Sequence, residues 1–349
     1  MTALSIIGLA SCLTWQVPVN APSFASTPEH SAVIEFRHQT TWHNPPIPAT
    51  GAMLVPGIEP GKPIVSQYRK TLALNGDEVT VISVPVDAHP LNPIREQRWS
   101  NVGDRFREAV FMKNPEAGGP ASNVITEKPR PGMTPVLTHQ RREFLFALGV
   151  DFAKYITTVD TSENTEAGQR LKGTMKIGGP TPIKFDLIVD TDGLVRKAEL
   201  DWTVDGTGMR WEIATEGTEA RGEYRLAKKG TFREVNVRKD QPVRPVDIST
   251  DLAVELIDFK VLSDKEYQDL VRLDRPPNSF LADHVAGDYS RIDGAGKVTK
   301  MFKLPERQAG SSEYGWTSWI TYVVGGHALA FLLLAAGWYW LQRRRKGLT

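Results

Sequence analysis

Apolar and polar residues alternate along much of the chain, and this pattern predicts a mainly β protein. Between residues 183 and 237 the alternation runs through successive segments that are separated by short, glycine-containing turns. The segments IKFDLIV and AELDWTV place an apolar side chain at every second position. Because successive side chains of a strand point to opposite faces, this spacing predicts an antiparallel meander with one apolar and one charged face.

The apolar face of this meander is the candidate ligand-binding surface. Six residues keep the strand period over three consecutive predicted strands. They are Phe185, Leu187, Leu200, Trp202, Trp211 and Ile213. Two residues of a predicted helix, Phe144 and Leu148, are expected to face them. A helix lying flat on the sheet makes an ordinary core, whereas a helix that stands off leaves a groove for an acyl chain. Both arrangements are open at this point.

Further segments also have the pattern of strands. Residues 32–36 alternate in the same way, and residues 252–262 are strand-like. Asn75-Gly76 lies between two strand-like runs, which is the strongest short signal for a hairpin. A further strand of the meander is expected over residues 221–226, and a last strand includes Val235 and Val237.

Three segments favour helices instead. The apolar residues of 93–112 recur at three and four positions, as on one face of a helix. A second helix is expected to begin at Thr138 as N-cap and to carry an apolar stripe through Phe152 and Tyr155. Ser263 and Glu266 form a capping box before a short third helix.

A run of 23 residues near the C-terminus predicts a transmembrane helix. From Trp319 to Leu341 the chain contains no Asp, Glu, Lys or Arg. At about 1.5 Å per residue this helix is roughly 34 Å long, enough to cross a hydrocarbon core of about 30 Å. Tryptophan and tyrosine residues lie at both ends of the run, where amphipathic rings favour the membrane interface.

A basic tail follows the predicted span and sets its expected orientation. The tail residues are Arg343, Arg344, Arg345 and Lys346. They are expected to stay in the cytoplasm, which places the N-terminal domain outside. Within the span, Gly326 and Ala330 form a pair of small residues at which another helix can approach closely. His327 is an intramembrane ionisable residue, either part of such a contact or a neutral side chain near the outer interface.

The N-terminus has the pattern of an export signal. Residues 1–26 carry no charge, and residues 4–13 form an apolar segment of signal-peptide length. Ser23 and Ala25 are small residues at the positions that a signal peptidase recognises, so cleavage after Ala25 is expected. Lipidation of Cys12 is the alternative, because the segment LASC resembles a bacterial lipobox. Cys12 is the single cysteine, so an exported part without it forms no disulfide.

These features divide the chain into five segments. They are a signal peptide over 1–25, an extracytoplasmic mainly β domain over 26–275, a tether over 276–315, a transmembrane helix over 316–342 and a basic cytoplasmic tail over 343–349. Removing the four basic residues of the tail from the chain's 42 leaves 38 basic against 41 acidic residues. A nucleic-acid partner would require a basic face. The expected partners are therefore the lipid bilayer and a lipid or protein ligand.

One hairpin of the meander carries a family resemblance. The segment IKFDLIVDTDGLVRKAELDW comprises a strand, an Asp-Gly turn and a second strand with a basic start. It resembles the typical hairpin of LolA-like periplasmic lipoprotein carriers and of the related LppX/LprG lipid-binding domains. The resemblance covers residues 30–262 in pattern but only this hairpin in sequence. It implies a curved sheet with helices over its apolar face and the binding of a lipid or an acyl chain. Those carriers usually begin with a helix and lack a C-terminal span, and this chain differs in both respects.

The sequence carries no recognised catalytic motif, and we expect no cofactor, metal or catalytic residue. Asp190-x-Asp192-Gly193 begins like a calcium loop but lacks the third oxygen ligand, so a hairpin turn is expected there. His38 and His43 lie five residues apart on a predicted strand, hence on opposite faces. Catalytic residues that meet only in the fold leave the enzyme question open.

The expected fold is mainly β (α+β), an antiparallel curved meander or half-barrel covered by two or three helices, plus one C-terminal transmembrane helix. The preferred function is the binding of a lipid, an acyl chain or a partner at the membrane surface by an exported, single-pass, membrane-anchored ectodomain. One alternative is a noncatalytic scaffold in a membrane complex, and the next is a hydrolase without a recognisable motif.

Overall fold

A computed structural model describes most of the N-terminal 303 residues. The described ranges are 22–28, 31–43, 63–86, 94–102, 105–113, 121–127, 134–177, 181–272 and 277–303. Within these ranges no helix is long and apolar enough to cross a membrane. The predicted span over 316–342, its residues Gly326, His327 and Ala330, the basic tail and Cys12 lie outside the described ranges.

The fold is mainly β, as the alternation predicts, and sixteen strands form one sheet. The first nine strands are β1 (Ala32–Trp42), β2 (Ile64–Asn75), β3 (Glu78–Pro85), β4 (Ile94–Val102), β5 (Arg105–Met112), β6 (Ser122–Glu127), β7 (Ile156–Thr165), β8 (Gly168–Met175) and β9 (Ile183–Val189). The others are β10 (Val195–Asp201), β11 (Gly208–Glu216), β12 (Glu219–Arg221), β13 (Tyr224–Leu226), β14 (Lys229–Val237), β15 (Ile248–Val261), β16 (Ser279–Asp283), β17 (Asp288–Ile292) and β18 (Val298–Lys303).

The order of strands in the sheet shows how the two halves of the chain join. It is β18-β17-β16-β6-β5-β4-β3-β2-β1-β15-β14-β11-β10-β9-β8-β7, and β12 pairs with β13 separately. Neighbouring strands are antiparallel except β6 and β16, which are parallel. The long strand β15 pairs with both β1 and β14, so it connects the N-terminal strands with the predicted meander.

Two α-helices occur in the described part of the chain, α1 (Thr134–Ala147) and α2 (Asp264–Val271). α1 contacts β3, β4, β11, β14 and β15, and α2 packs against β2. The predicted capping box of α2 is confirmed, because Ser263 and Glu266 bond reciprocally. α1 ends where Gly149 adopts a φ of 78°, a left-handed conformation that favours glycine.

Two details of the prediction for α1 are wrong. Thr138 lies inside the helix rather than at its N-cap, because α1 begins four residues earlier at Thr134. Phe152 belongs to a short 3₁₀ helix, Phe152–Lys154, and Tyr155 follows it. Gly149 therefore divides the apolar stripe that the sequence suggested into two elements.

The helix predicted over 93–112 is also wrong, because this segment forms β4 and β5. The reason is that β5 is buried on both faces. Phe106 joins the main core, whereas Ala109 and Phe111 join a second cluster. Successive residues of a strand point to opposite faces, so Phe106 and Ala109 lie on different faces of β5. Because both faces are buried, both residues are apolar, and their spacing of three is the same as on one face of a helix.

Two further segments differ from expectation. The predicted tether over 276–315 contains the strands β16, β17 and β18, which extend the sheet at one edge. The single strand expected over 221–226 is a small hairpin instead, because Gly222 turns the chain with a φ of 60° between β12 and β13.

Two hydrophobic clusters hold the sheet. The main cluster combines residues of α1 with one face of the central strands and reaches from Phe106 of β5 to Ile156 of β7. The second, small cluster contains Ala109, Phe111, Val124, Leu281 and Ile292. The main cluster carries the predicted ligand-binding face.

Candidate functional site

The predicted ligand-binding residues lie in cross-strand rows on one face of the sheet. Phe185 of β9 is opposite Leu200 of β10, and Leu200 is opposite Trp211 of β11. Leu187 and Ile213 occupy the next row, on either side of β10. The Asp-Gly turn between β9 and β10 sets this register, because β9 ends and β10 begins on either side of it.

α1 lies over this face and fills it. Phe144 and Leu148 are 2% and 0% exposed and belong to the same cluster as the strand residues. Of the six residues that the sequence assigned to strands, Trp202 lies just after the end of β10 and is partly buried, and the other five lie in strands and are at most 4% exposed. Of the two arrangements that the sequence left open, the structure therefore has the packed one.

Trp211 is the centre of the aromatic contacts under α1. Its ring centroid lies 4.7 Å from that of Trp202, 4.9 Å from Phe232 and 6.5 Å from Phe146. Its indole nitrogen donates a hydrogen bond of 2.9 Å to Glu234. Trp211 thus contacts the apolar rows on the sheet and also lies next to ionisable side chains of α1.

These ionisable side chains are buried between α1 and the sheet, and we call them the α1 cluster. Its members are His38 of β1, Lys70 of β2, and His139, Arg142 and Glu143 of α1. Four of them, all except His139, are between 7% and 9% exposed. Burying a charged group is costly unless it is paired and hydrogen-bonded, so this set is unusual for a core.

His38 and Lys70 form the sheet side of the α1 cluster and surround Phe144. The His38 ring centroid lies 5.4 Å from that of Phe144, and Lys70 Nζ lies 4.8 Å from the Phe144 centroid. The strand register explains this, because His38 is opposite Tyr68 and Phe36 is opposite Lys70. The ammonium therefore contacts the face of an aromatic ring, a favourable cation–π geometry.

The helix side of the cluster continues toward Trp211. His139 Nε2 lies 3.1 Å from Glu143 Oε1, one helical turn away. Arg142 Cζ lies 5.7 Å from the ring centroids of both Tyr155 and Trp211. The buried Nε of Arg142 and the Nδ1 of His38 have no hydrogen-bond partner among the described residues.

Burial shifts the pKa of several members of the α1 cluster. Loss of hydration, together with the smaller effect of the neighbouring Lys70 charge, lowers the pKa of His38 to about 2. Burial lowers the pKa of Lys70 to about 8, against the attraction of Glu143. The pKa of Arg142 is also lowered by burial, whereas the hydrogen bond that His139 donates to the Glu143 carboxylate raises the pKa of His139. At neutral pH, His38 is therefore neutral and Lys70 is mostly charged.

The pattern of the sequence does not predict the α1 cluster as a whole, although the strand period contains a signal for part of it. Lys70 shares the strand parity of Leu72 and Leu74, and His38 that of Phe36. A lysine or histidine on the apolar parity of a strand predicts a buried ionisable group. The residues of α1 gave no such signal, because a charged helix residue beside an apolar stripe is usually solvated.

The other candidate sites have structural roles in the described residues. The Asp190 carboxylate accepts hydrogen bonds from the backbone of Asp192 and Leu194, both of 2.9 Å, as in a turn. His43 bonds Asp251 at 2.8 Å, away from His38. No group of metal-ligating side chains occurs among the residues that the structure describes.

Two depressions open elsewhere on the surface. One of about 740 Å³ is lined by residues 205–206 and 237–242. The other, of about 570 Å³, lies between residues 23–27 and the turns around Asp192 and Tyr224. Neither is lined by a residue of the α1 cluster.

Comparisons with models of known protein families and with curated proteins find no match to this chain.

Proposed function

We propose that the chain is a noncatalytic binding protein whose ligand is a lipid or another amphipathic molecule with an acyl chain. The acyl chain would lie between α1 and the sheet, against the rows of Phe185, Leu200 and Trp211. An anionic headgroup would meet Lys70 and Arg142. The predicted C-terminal span would hold the domain at a membrane surface.

The observation that supports this proposal is the α1 cluster itself. A permanent core seldom contains four ionisable side chains with exposures below a tenth. Here they lie under one helix, and two of their polar atoms have no partner within the described ranges. Such groups commonly mark a functional site, because a ligand supplies the partner that the protein lacks. A cation beside aromatic rings suits a ligand with an anionic head and an apolar body.

Binding at this site requires α1 to move away from the sheet, because the interface is packed in this structure. α1 is positioned at its C-terminal end by a close approach to Gly230 of β14. A methyl group at Gly230 would lie 1.6 Å from the carbonyl oxygen of Ala147. The absence of a side chain at this position therefore lets α1 lie flat.

The low exposure of the rows favours a second function, that of a noncatalytic scaffold in a membrane complex. Five of the six residues of the predicted ligand-binding face of the sheet are at most 4% exposed, as in an ordinary core. A scaffold needs no movement of α1, and it would bind its partners through other surfaces.

The variant Gly230→Ala distinguishes the two functions, with Gly173→Ala as the matched control. A methyl group at Gly173 would lie 2.0 Å from the Thr158 carbonyl oxygen, a similar clash between β8 and β7, and neither Gly173 nor Gly230 has a positive φ. The full-length proteins are incubated with vesicles that contain a fluorescent fatty acid, and bound label is measured after reisolation. If α1 covers a ligand site, Gly230→Ala should bind more label than Gly173→Ala at an equal fall in Tm. Equal labelling of both variants and of the wild type, at background level, would leave the scaffold function.

A further inference from the structure

The segment Ser23–Thr27 is part of the folded domain, although the sequence pattern predicts a cleaved signal that includes its first three residues. We call it the N-terminal strap. Ala25 donates a backbone hydrogen bond of 2.8 Å to the Gly193 carbonyl oxygen and accepts one of 3.1 Å from the Asp151 N–H. Phe24 and Ala25 pack against the main hydrophobic cluster. The strap therefore connects the β9–β10 turn with the loop after α1.

Asp151 is the buried anchor of the strap. It is 3% exposed, and its carboxylate accepts the backbone N–H of Thr27 at 2.7 Å and the Thr27 hydroxyl at 2.9 Å. Lys154 supplies the counter-charge at 2.7 Å. Asp151 has a φ of 67°, an uncommon conformation for a non-glycine residue, and these bonds stabilise it.

Gly193 shows how closely the strap is seated. A methyl group at Gly193 would lie 2.2 Å from the Ser23 carbonyl oxygen and 2.8 Å from the Ala25 nitrogen. The third nearest atom also belongs to the strap, the carbonyl carbon of Phe24 at 3.2 Å. The backbone of β9–β10 thus approaches the strap at a position where only glycine fits.

Cleavage after Ala25 would remove half of these contacts. The Asp151 N–H and the Gly193 carbonyl would lose their backbone partners, and the core would lose the Phe24 ring. An unpaired buried backbone group is costly, so the native fold favours a chain that retains the strap. A cut before Ser23 would leave every one of these contacts in place.

We propose that the mature protein retains the N-terminal strap, and that any N-terminal processing of this chain occurs before Ser23. The inference is independent of the ligand proposed above. It assigns the small residues Ser23 and Ala25 to the fold rather than to a peptidase recognition site.

The first test is the N-terminus of the full chain, expressed with its own N-terminal region in a bacterial host and extracted from the membrane fraction. Intact-mass measurement and N-terminal sequencing give the first residue. A mature N-terminus at Met1, at Cys12 or at any other residue up to Ser23 supports the proposal. A chain that begins after Ser23, above all at Ser26, overturns it.

The second test asks whether the strap is seated in the protein, using Gly193→Ala with Gly76→Ala as control. Both glycines have a positive φ, 79° and 57°, but a methyl group at Gly76 would meet nothing within 4 Å. Both variants share the backbone strain, and only Gly193→Ala displaces the strap. We expect Gly193→Ala to lower Tm more than the control and to accelerate chymotryptic cleavage after Phe24 about tenfold, because local opening governs cleavage. Equal Tm values and equal cleavage rates for the two variants would contradict a seated strap.

Discussion

Two groups in which cations contact aromatic rings, one under α1 and one at the sheet edge, differ in their access to water. Under α1, the buried Lys70 ammonium lies 4.8 Å from the centre of the Phe144 ring. At the sheet edge, the rings of Phe280, Tyr289 and Phe302 stack across β16, β17 and β18, with centroid distances of 5.8 and 4.6 Å. Arg291, an exposed residue, lies 5.9 Å from the Phe280 centroid.

The difference shows that one type of contact has two energetic consequences. At the edge, water still hydrates Arg291, so the contact adds little and costs little. Under α1, Lys70 has lost most of its hydration, and the aromatic ring compensates for only part of that loss. The buried group is therefore the one whose charge state depends on the fold, and the one that an anionic ligand would stabilise.

The largest expected effect is that of removing the aromatic centre under α1. Trp211→Ala should lower the free energy of unfolding by about 3–5 kcal/mol, because it leaves a cavity and removes one hydrogen bond to Glu234. Trp202→Ala is the control at a neighbouring, partly buried ring, and should cost less. Urea unfolding of both variants measures the difference. Equal decreases in the free energy of unfolding would show that Trp211 is packed under α1 no more tightly than Trp202 is.

The second effect is a loss of stability in acid that depends on His38. The pKa of His38 is lowered in the folded state from 6.5 to about 2, so below pH 6.5 the unfolded chain binds a proton that the folded chain does not. Stability should therefore fall as the pH decreases from 6.5 toward 2, by at most about 1.4 kcal/mol per pH unit from this group. His38→Leu should flatten this part of the profile, measured by urea unfolding at successive pH values.

His139 is the control for this profile, because its pKa is raised. Its contribution to stability is present below its unfolded pKa and is lost as the pH rises through its folded pKa. His139→Gln should therefore lower stability in acid without changing the slope between about pH 6.5 and 2, whereas His38→Leu changes that slope. A profile that neither substitution changes would show that other groups control acid unfolding.

The third effect compares a buried cation with an exposed one. Since the pKa of Lys70 is lowered to about 8 in the folded state, wild-type stability should rise between about pH 8 and 10.5 as the folded chain loses the proton first. Lys70→Met should remove this rise and increase the free energy of unfolding at pH 7 by about 1–3 kcal/mol. Arg291→Met at the edge should stay within about 0.5 kcal/mol of the wild type. If Lys70→Met and Arg291→Met change the free energy of unfolding equally, burial does not make the cation under α1 energetically different from the cation at the edge.

How well the sequence predicts each part depends on how many faces of an element are buried. The meander over β9, β10 and β11 has one apolar and one charged face. The period of two therefore correctly placed Phe185, Leu200 and Trp211 on the same buried face. β5 is buried on both faces, and its pattern therefore suggested a helix. Strand order is not contained in local patterns either, so the parallel pairing of β6 with β16 could not be predicted.

The candidate site was predictable in its apolar part but not in its charged part. Alternation places an apolar side chain on a face, but it does not say which helix residues cover that face. Arg142 and Glu143 are buried because α1 lies over β11 and β14, which is a consequence of tertiary packing. The strap was missed for a different reason, since a segment with small residues near an apolar run has the same pattern whether it is cleaved or folded.

The smallest expected effect is at the exposed edge, and it completes the comparison. Phe302 is 54% exposed and stacks on Tyr289 at one side only. Phe302→Ala should therefore cost about 0.5–1 kcal/mol, the value of one cross-strand aromatic pair, without a cavity penalty. Thermal unfolding beside the neighbouring exposed substitution Met301→Ala, which removes no ring stack, isolates the stacking contribution. A loss as large as that of Trp211→Ala would mean that the edge stack holds the sheet as firmly as the core under α1 does. The two groups would then differ in hydration alone.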